Sequence, residues 1–235
     1  AIGSFIGVVA DRYKEDLPIW DRKIIGGRSH CEFCGRKLRW FELIPILSFL
    51  SQGGKCRYCN HKLGLRYLYT EIISGLLFVF VPAALSQNFY PLPTTNYSLF
   101  TTHYLLPALW LLVFSFLLLI SLIDKRLRII PNEASAALVI FGALLTIFQP
   151  LNELSGSFLG HYAMLFGWYS NPWLNHPLGA AVAGIFFAAL IFITKGRGMG
   201  GGDMKLAAAL GFVFGWPDIL LIAILAFIIG SLFGV

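Results

Sequence analysis

The chain has 235 residues, 57% of them hydrophobic and 13% charged, with a mean hydropathy of +0.73. Soluble domains carry about 25% charged residues, so composition excludes an ordinary water-soluble enzyme or binding module and predicts an all-α polytopic membrane protein. Loop placement and anionic lipid account for the net charge of +6, so nucleic acid is not needed as a partner.

In chain order, Ala1–Ala10 is apolar and reads as part of a first transmembrane helix, with no cleavable signal pattern. Residues 11–66 form a basic insert, and residues 67–235 form the membrane domain. Apolar runs lie at 67–85, 105–123, 132–149, 178–194 and 219–235, with a shorter one at 204–215. About 17 to 25 apolar residues cross a bilayer. With the partial helices at both ends counted, the pattern predicts about seven transmembrane segments, some truncated.

Charge sets the topology. Of the 18 Lys and Arg residues, twelve lie between Arg12 and Arg66, three between Lys125 and Arg128, and three between Lys195 and Lys205. The positive-inside rule places these regions in the cytoplasm, and puts 86–104, 150–177 and the Trp216-Pro217-Asp218 turn outside. Phe89-Tyr90-Pro91, Trp168-Tyr169 and Trp173 then read as interfacial anchors.

All four cysteines fall in the insert. Cys31-Glu32-Phe33-Cys34 and Cys56-Arg57-Tyr58-Cys59 are two CxxC pairs separated by 21 residues, close to zinc-ribbon spacing. A two-residue gap turns both thiolates of a pair toward one tetrahedral Zn²⁺, and four sulfurs close the site as structural. Two disulfides are the competing reading, but a cytoplasmic, reducing location disfavours them. His30 and His61 border the pairs and read as solvated loop residues, because the cysteines already complete a ligand set.

Asp124 and Asp203 read as the only carboxylates that the apolar flanks place at or inside a membrane boundary. An ionisable group at membrane depth costs about 2.5 kcal/mol or more, so it usually marks chemistry or transport. Asp124 ends one apolar run; its bland reading is an interfacial Asp paired with Lys125 or Arg128. Asp203 follows Gly196, Gly198, Gly200, Gly201 and Gly202 and is expected to open a helix from Met204 to Gly215, its bland reading being an N-cap. That helix is too short to cross alone, so the glycine loop is expected to dip into the membrane. Asp203 would share a face with Ala207, Leu210 and Gly211, where small residues admit a close neighbour. Gly179–Gly184 reads as small-residue packing without chemistry.

Gly200-Gly201-Gly202-Asp203-Met204-Lys205-Leu206 resembles the GxGD motif of membrane aspartic proteases. Asp124 followed by Arg128-Ile129-Ile130-Pro131-Asn132 resembles the first catalytic-aspartate segment of type IV prepilin peptidases. The four-cysteine insert, Gly3-Ser4-Phe5, Ile44-Pro45-Ile46-Leu47-Ser48 and Gly54-Lys55-Cys56 extend the resemblance over nearly the whole chain. Glu32 and Leu43 depart from it, standing where the family often has Pro and Asn. The resemblance implies an inner-membrane enzyme that cuts the basic leader from prepilins or pseudopilins at the cytoplasmic face. It also implies N-methylation of the new terminus from S-adenosyl-L-methionine. Asp124 and Asp203 would form the catalytic dyad, sharing one proton, and Gly54 and Lys55 are the methyl-donor candidates. No GxGxxG fingerprint follows a strand, so any such cofactor site is unconventional.

Two other classes compete. An ion-coupled transporter would also bury two carboxylates but would show inverted repeats, and none is found. A zinc-ribbon scaffold of a secretion system would need the cysteines and have no use for an aspartate behind a glycine loop.

Overall fold

The computed structural model describes residues 2–31, 33–44, 46–88, 104–148, 171–197 and 199–233. The expected outer anchors Phe89-Tyr90-Pro91 and Trp168-Tyr169 lie outside these residues. The described residues are helical, with no strand. Two units share the chain: Ala1–Ala83 with Phe114–Pro131, and Ala84–Val113 with Asn132–Val235.

In the first unit, α1 (Ile2–Arg12) lies antiparallel against α4 (Leu65–Asn88). Gly3 faces Thr70 and Ser74, and Gly7 faces Thr70 and Tyr67; a Cβ on Gly3 would come within 2.8 Å of the Thr70 carbonyl. Small residues let the backbones meet, as membrane helix pairs do. Arg126, near the end of α5 (Leu106–Leu127), donates from Nη1 to Ala10 O at 2.9 Å and also to Asp11 O. These are carbonyls that the end of α1 leaves without helical partners. Asp11 also pairs with Arg66 at 3.0 Å and accepts from the Tyr67 hydroxyl at 2.9 Å. Between α1 and α4 the insert holds the short helices α2 (Arg22–Ile25) and α3 (Leu47–Ser51), with a 3-10 turn at Trp40–Leu43.

The second unit contains α6 (Asn132–Phe148), α7 (Pro172–Thr194), α8 (Gly201–Phe214) and α9 (Asp218–Phe233). Glycines set the spacing. A Cβ on Gly179 of α7 would come within 2.5 Å of Gly211 O on α8, and one on Gly142 of α6 would come within 3.0 Å of the Phe212 ring. Gly184 meets Ala208 at an ordinary 3.6 Å. The pairing registers make α7 antiparallel and α6 parallel to α8. At the far end of α8, His176 Nδ1 donates to Phe212 O at 2.8 Å and Asn175 Oδ1 accepts from Trp216 N at 2.7 Å. Both side chains are buried and satisfy backbone groups that the helix end exposes.

Among the described residues, three helices are long and apolar enough to span a membrane: Leu65–Leu85, Leu106–Leu127 and Trp173–Thr194. Asn132–Phe148 and Asp218–Leu232 are apolar but shorter. Helix α7 starts six residues before the apolar run at 178–194 because Asn171 caps it: Asn171 Oδ1 accepts from Trp173 N at 3.1 Å. Trp173 therefore lies in a helix, and 172–177 is not loop.

Candidate functional site

The four cysteine sulfurs lie within 4.8 Å of one another, and Cys31 Sγ is 3.8 Å from Cys59 Sγ. None is in a disulfide. A tetrahedral ion with bonds of about 2.3 Å requires sulfur separations of about 3.8 Å, so this donor set fits a metal ion. The fit comes from a repeated turn. Cys31 N donates to Arg36 O, Gly35 N to Cys31 O and Leu38 N to Ser29 O; Cys56 N donates to His61 O, Asn60 N to Cys56 O and Leu63 N to Gly54 O. Gly35 and Asn60 occupy the same place in the two turns, with φ of 66° and 54°. Gly and Asn are the residues that tolerate this conformation. Backbone N–H groups of Cys59 and Tyr58 hold the Cys56 thiol down at about 7, whereas at Cys59 the His61 N–H is outweighed by burial and the neighbouring thiols, which push it up to about 11. His30 and His61 stand beside the cluster: Nδ1 of His30 hydrogen-bonds Arg28 O at 3.2 Å, and the His61 ring stacks on Phe33.

Gly54 has φ of 67°, and a Cβ there would come within 3.1 Å of the Phe49 ring. The fold alone therefore demands glycine at 54. Lys55 is exposed, and its backbone bridges to Lys62.

Asp124 and Asp203 fall in different units, and each is described within its own. Asp124 is exposed in the last turn of α5, directly after buried Ile123. Among the described residues its carboxylate is in no ion pair, so the pairing with Lys125 or Arg128 that the bland reading required is not formed. Arg126 is instead turned to the end of α1.

Asp203 is half-buried and lies inside α8, as its third residue. The helix begins at Gly201, three residues earlier than the sequence suggests. Asp203 Oδ2 accepts from Gly200 N at 3.0 Å, reaching back across the first turn as a capping-box residue does. A carboxylate there also faces the positive end of the helix dipole. Ala207 and Gly211, one and two turns on, are buried, as expected for that face. With 14 residues the helix is about 21 Å long, short of a bilayer core of about 30 Å.

Sequence reasoning missed Glu71. It lies seven residues into the membrane-length helix Leu65–Leu85, so Asp124 and Asp203 are not the only carboxylates at such a position. Glu71 Oε1 accepts from the Ser4 hydroxyl on α1, and Oε2 accepts from Ile46 N in the insert. The signal was available: Glu71 sits inside the apolar run at 67–85, where one charge disappears into a window average.

Residues 1–85 match the bacterial peptidase A24 N-terminal domain, and residues 111–235 match the type IV leader peptidase family. The chain belongs to the type IV leader peptidase family. Relatives described as prepilin leader peptidase/N-methyltransferase include a Bacillus subtilis (strain 168) protein, 35% identical over 90% of this chain and 71% of its own length. One from Myxococcus xanthus (strain DK1622) is 29% identical over 100% of this chain and 59% of its length. One from Vibrio cholerae is 26% identical over 97% and 80%. The chain thus spans about three fifths to four fifths of the length of these relatives. No solved structure matches it. The leader peptidase match contains both Asp124 and Asp203, and the N-terminal match contains the four cysteines and Glu71.

Proposed function

We propose that the chain is a membrane aspartic endopeptidase that removes the basic leader of type IV prepilins or pseudopilins, and an N-methyltransferase acting on the new amino terminus. The observation that carries this reading is the double family match over one chain whose second match holds Asp124 and a GGGD aspartate in the first turn of a short helix. Asp124 and Asp203 are the two catalytic carboxylates. As a dyad they hold one proton: one carboxylate takes a proton from water as it attacks the scissile carbonyl, and the other gives its proton to the leaving amine. The chain sits in the bacterial inner membrane with about seven transmembrane segments, its insert and catalytic groups on the cytoplasmic side, where the Lys and Arg residues gather.

Cys31, Cys34, Cys56 and Cys59 hold one Zn²⁺. Four thiolates leave no open coordination position, so the ion supports the insert and takes no part in hydrolysis. S-adenosyl-L-methionine would supply the methyl group. Lys55, an exposed cation next to the second cysteine pair, would face the carboxylate of that donor, and Gly54 shapes the turn that presents it. The test is incubation of the purified full chain in detergent with a prepilin peptide spanning the leader junction. Cleavage at the junction supports the reading, and an intact peptide under conditions where a related peptidase cuts it refutes the reading.

A further inference from the structure

Glu71 is a half-buried carboxylate in a membrane-length helix, and among the described residues it is in no ion pair. Such a group carries a desolvation cost, so its two hydrogen bonds to separate elements call for a role. Ser4 Oγ joins it to α1, and Ile46 N joins it to the insert. Ile46 has φ of 61°, a conformation that a β-branched residue rarely adopts unless its surroundings impose it. Glu71 accepts the N–H of this residue.

From Ile46 the constraint runs along a continuous ladder. Leu50 N donates to Ile46 O, Gln52 N to Ser48 O, Gly54 N to Phe49 O and Lys55 N to Gln52 O. Leu63 N then returns to Gly54 O, closing the second cysteine turn. The first cysteine turn has no hydrogen bond to Glu71 or Ile46 among the described residues. We infer that Glu71 is a positioning residue for methyl transfer: through Ile46 and α3 it orients Gly54, Lys55 and the second cysteine turn, and leader cleavage does not depend on it. The link to methyl transfer rests on the function proposed above.

Two measurements on the full-length protein in detergent test this. In hydrogen exchange, Glu71→Ala should speed exchange at Leu50, Gln52 and Gly54 about tenfold or more while Gly35 and Leu38 stay unchanged. In mass spectrometry of the processed substrate, the methylated fraction should fall about fivefold or more while leader removal changes less than about twofold. Glu71→Met, which is close in length but has no acceptor for either donor, should show the same pattern, and it carries the test if Glu71→Ala fails to insert. Ser4→Ala removes the other hydrogen bond and should leave exchange at 46–55 as in the wild type. Unchanged exchange in both Glu71 variants overturns the inference, and so does equal loss of cleavage and methylation. A wild-type product that is cut and never methylated refutes the methyl-transfer half of the proposed function instead, and the exchange comparison still decides whether Glu71 is the anchor.

Discussion

Lys205 Nζ donates to Asn132 Oδ1 at 2.9 Å, fastening the first turn of α8, which carries Asp203, to the first turn of α6. Both residues are exposed, and such a bond contributes about 1 kcal/mol or less. Lys205→Met and Asn132→Ala should each lower the detergent Tm slightly, and the double variant should be no worse than the more damaging single one. Additive losses would show that the two side chains act separately.

Asp124→Asn and Asp203→Asn should each abolish leader cleavage, and the double variant should lose nothing further, because the dyad acts as one unit. Asp203 has a structural duty too. Asparagine can still accept from Gly200 N, whereas Asp203→Ala gives up that bond and should cost about 0.5 to 2 kcal/mol of stability. Thermal unfolding of the two variants separates the duties: a stable Asp203→Asn protein that retains cleavage would contradict the proposed mechanism.

Elemental analysis of purified protein should find about one Zn²⁺ per chain. Cys31→Ser or Cys59→Ser should lower metal content and open the 31–59 region to protease, because either removes one of four ligands from a cluster that closes the insert. Metal-free protein with two disulfides would overturn the zinc assignment.

Close packing around α8 gives a contrast within one unit. Gly179→Ala would force a Cβ into the backbone at Gly211 and Gly215, and overpacking of this kind costs about 1 to 3 kcal/mol. Gly184→Ala, one turn further along α7, meets only Ala208 and should leave Tm unchanged. Because α7 flanks the helix that carries Asp203, cleavage should fall with Gly179→Ala alone.

What the sequence discloses is what short-range rules determine. A two-residue gap between cysteines specifies a turn, so the thiol cluster could be read directly, and apolar runs place the long helices to within a few residues. The start of α8 was missed because Asp203 resembles an N-cap, whereas it lies at the third helical position and reaches back to Gly200. The start of α7 was missed because Asn175 and His176 look like loop residues; they are buried, answering to the end of α8 some forty residues on. Glu71 depends on partners 67 and 25 residues away, a relationship that no local window contains. Asp124 and Asp203, the proposed catalytic pair, were picked out by their motifs, since spacing from a glycine run or an apolar end is a local property, and the leader peptidase match spans both.

Lys55→Ala separates the proposed activities at the side-chain level. Lys55 is exposed, so its removal leaves no cavity and no unpaired charge in the membrane. Leader removal should therefore stay near the wild-type rate while methylation of a pre-cleaved substrate falls. Gly54→Ala should damage more broadly: it strains a φ of 67° and crowds Phe49, so it disturbs the second cysteine turn as well as any donor site. Mass spectrometry distinguishes cut from cut-and-methylated product, and metal analysis reports on the turn. Lost methylation with zinc retained in Lys55→Ala, against loss of both in Gly54→Ala, would place the methyl-donor contact on the lysine. Unchanged methylation in Lys55→Ala would remove that lysine from the donor site and leave Gly54 with a purely structural duty.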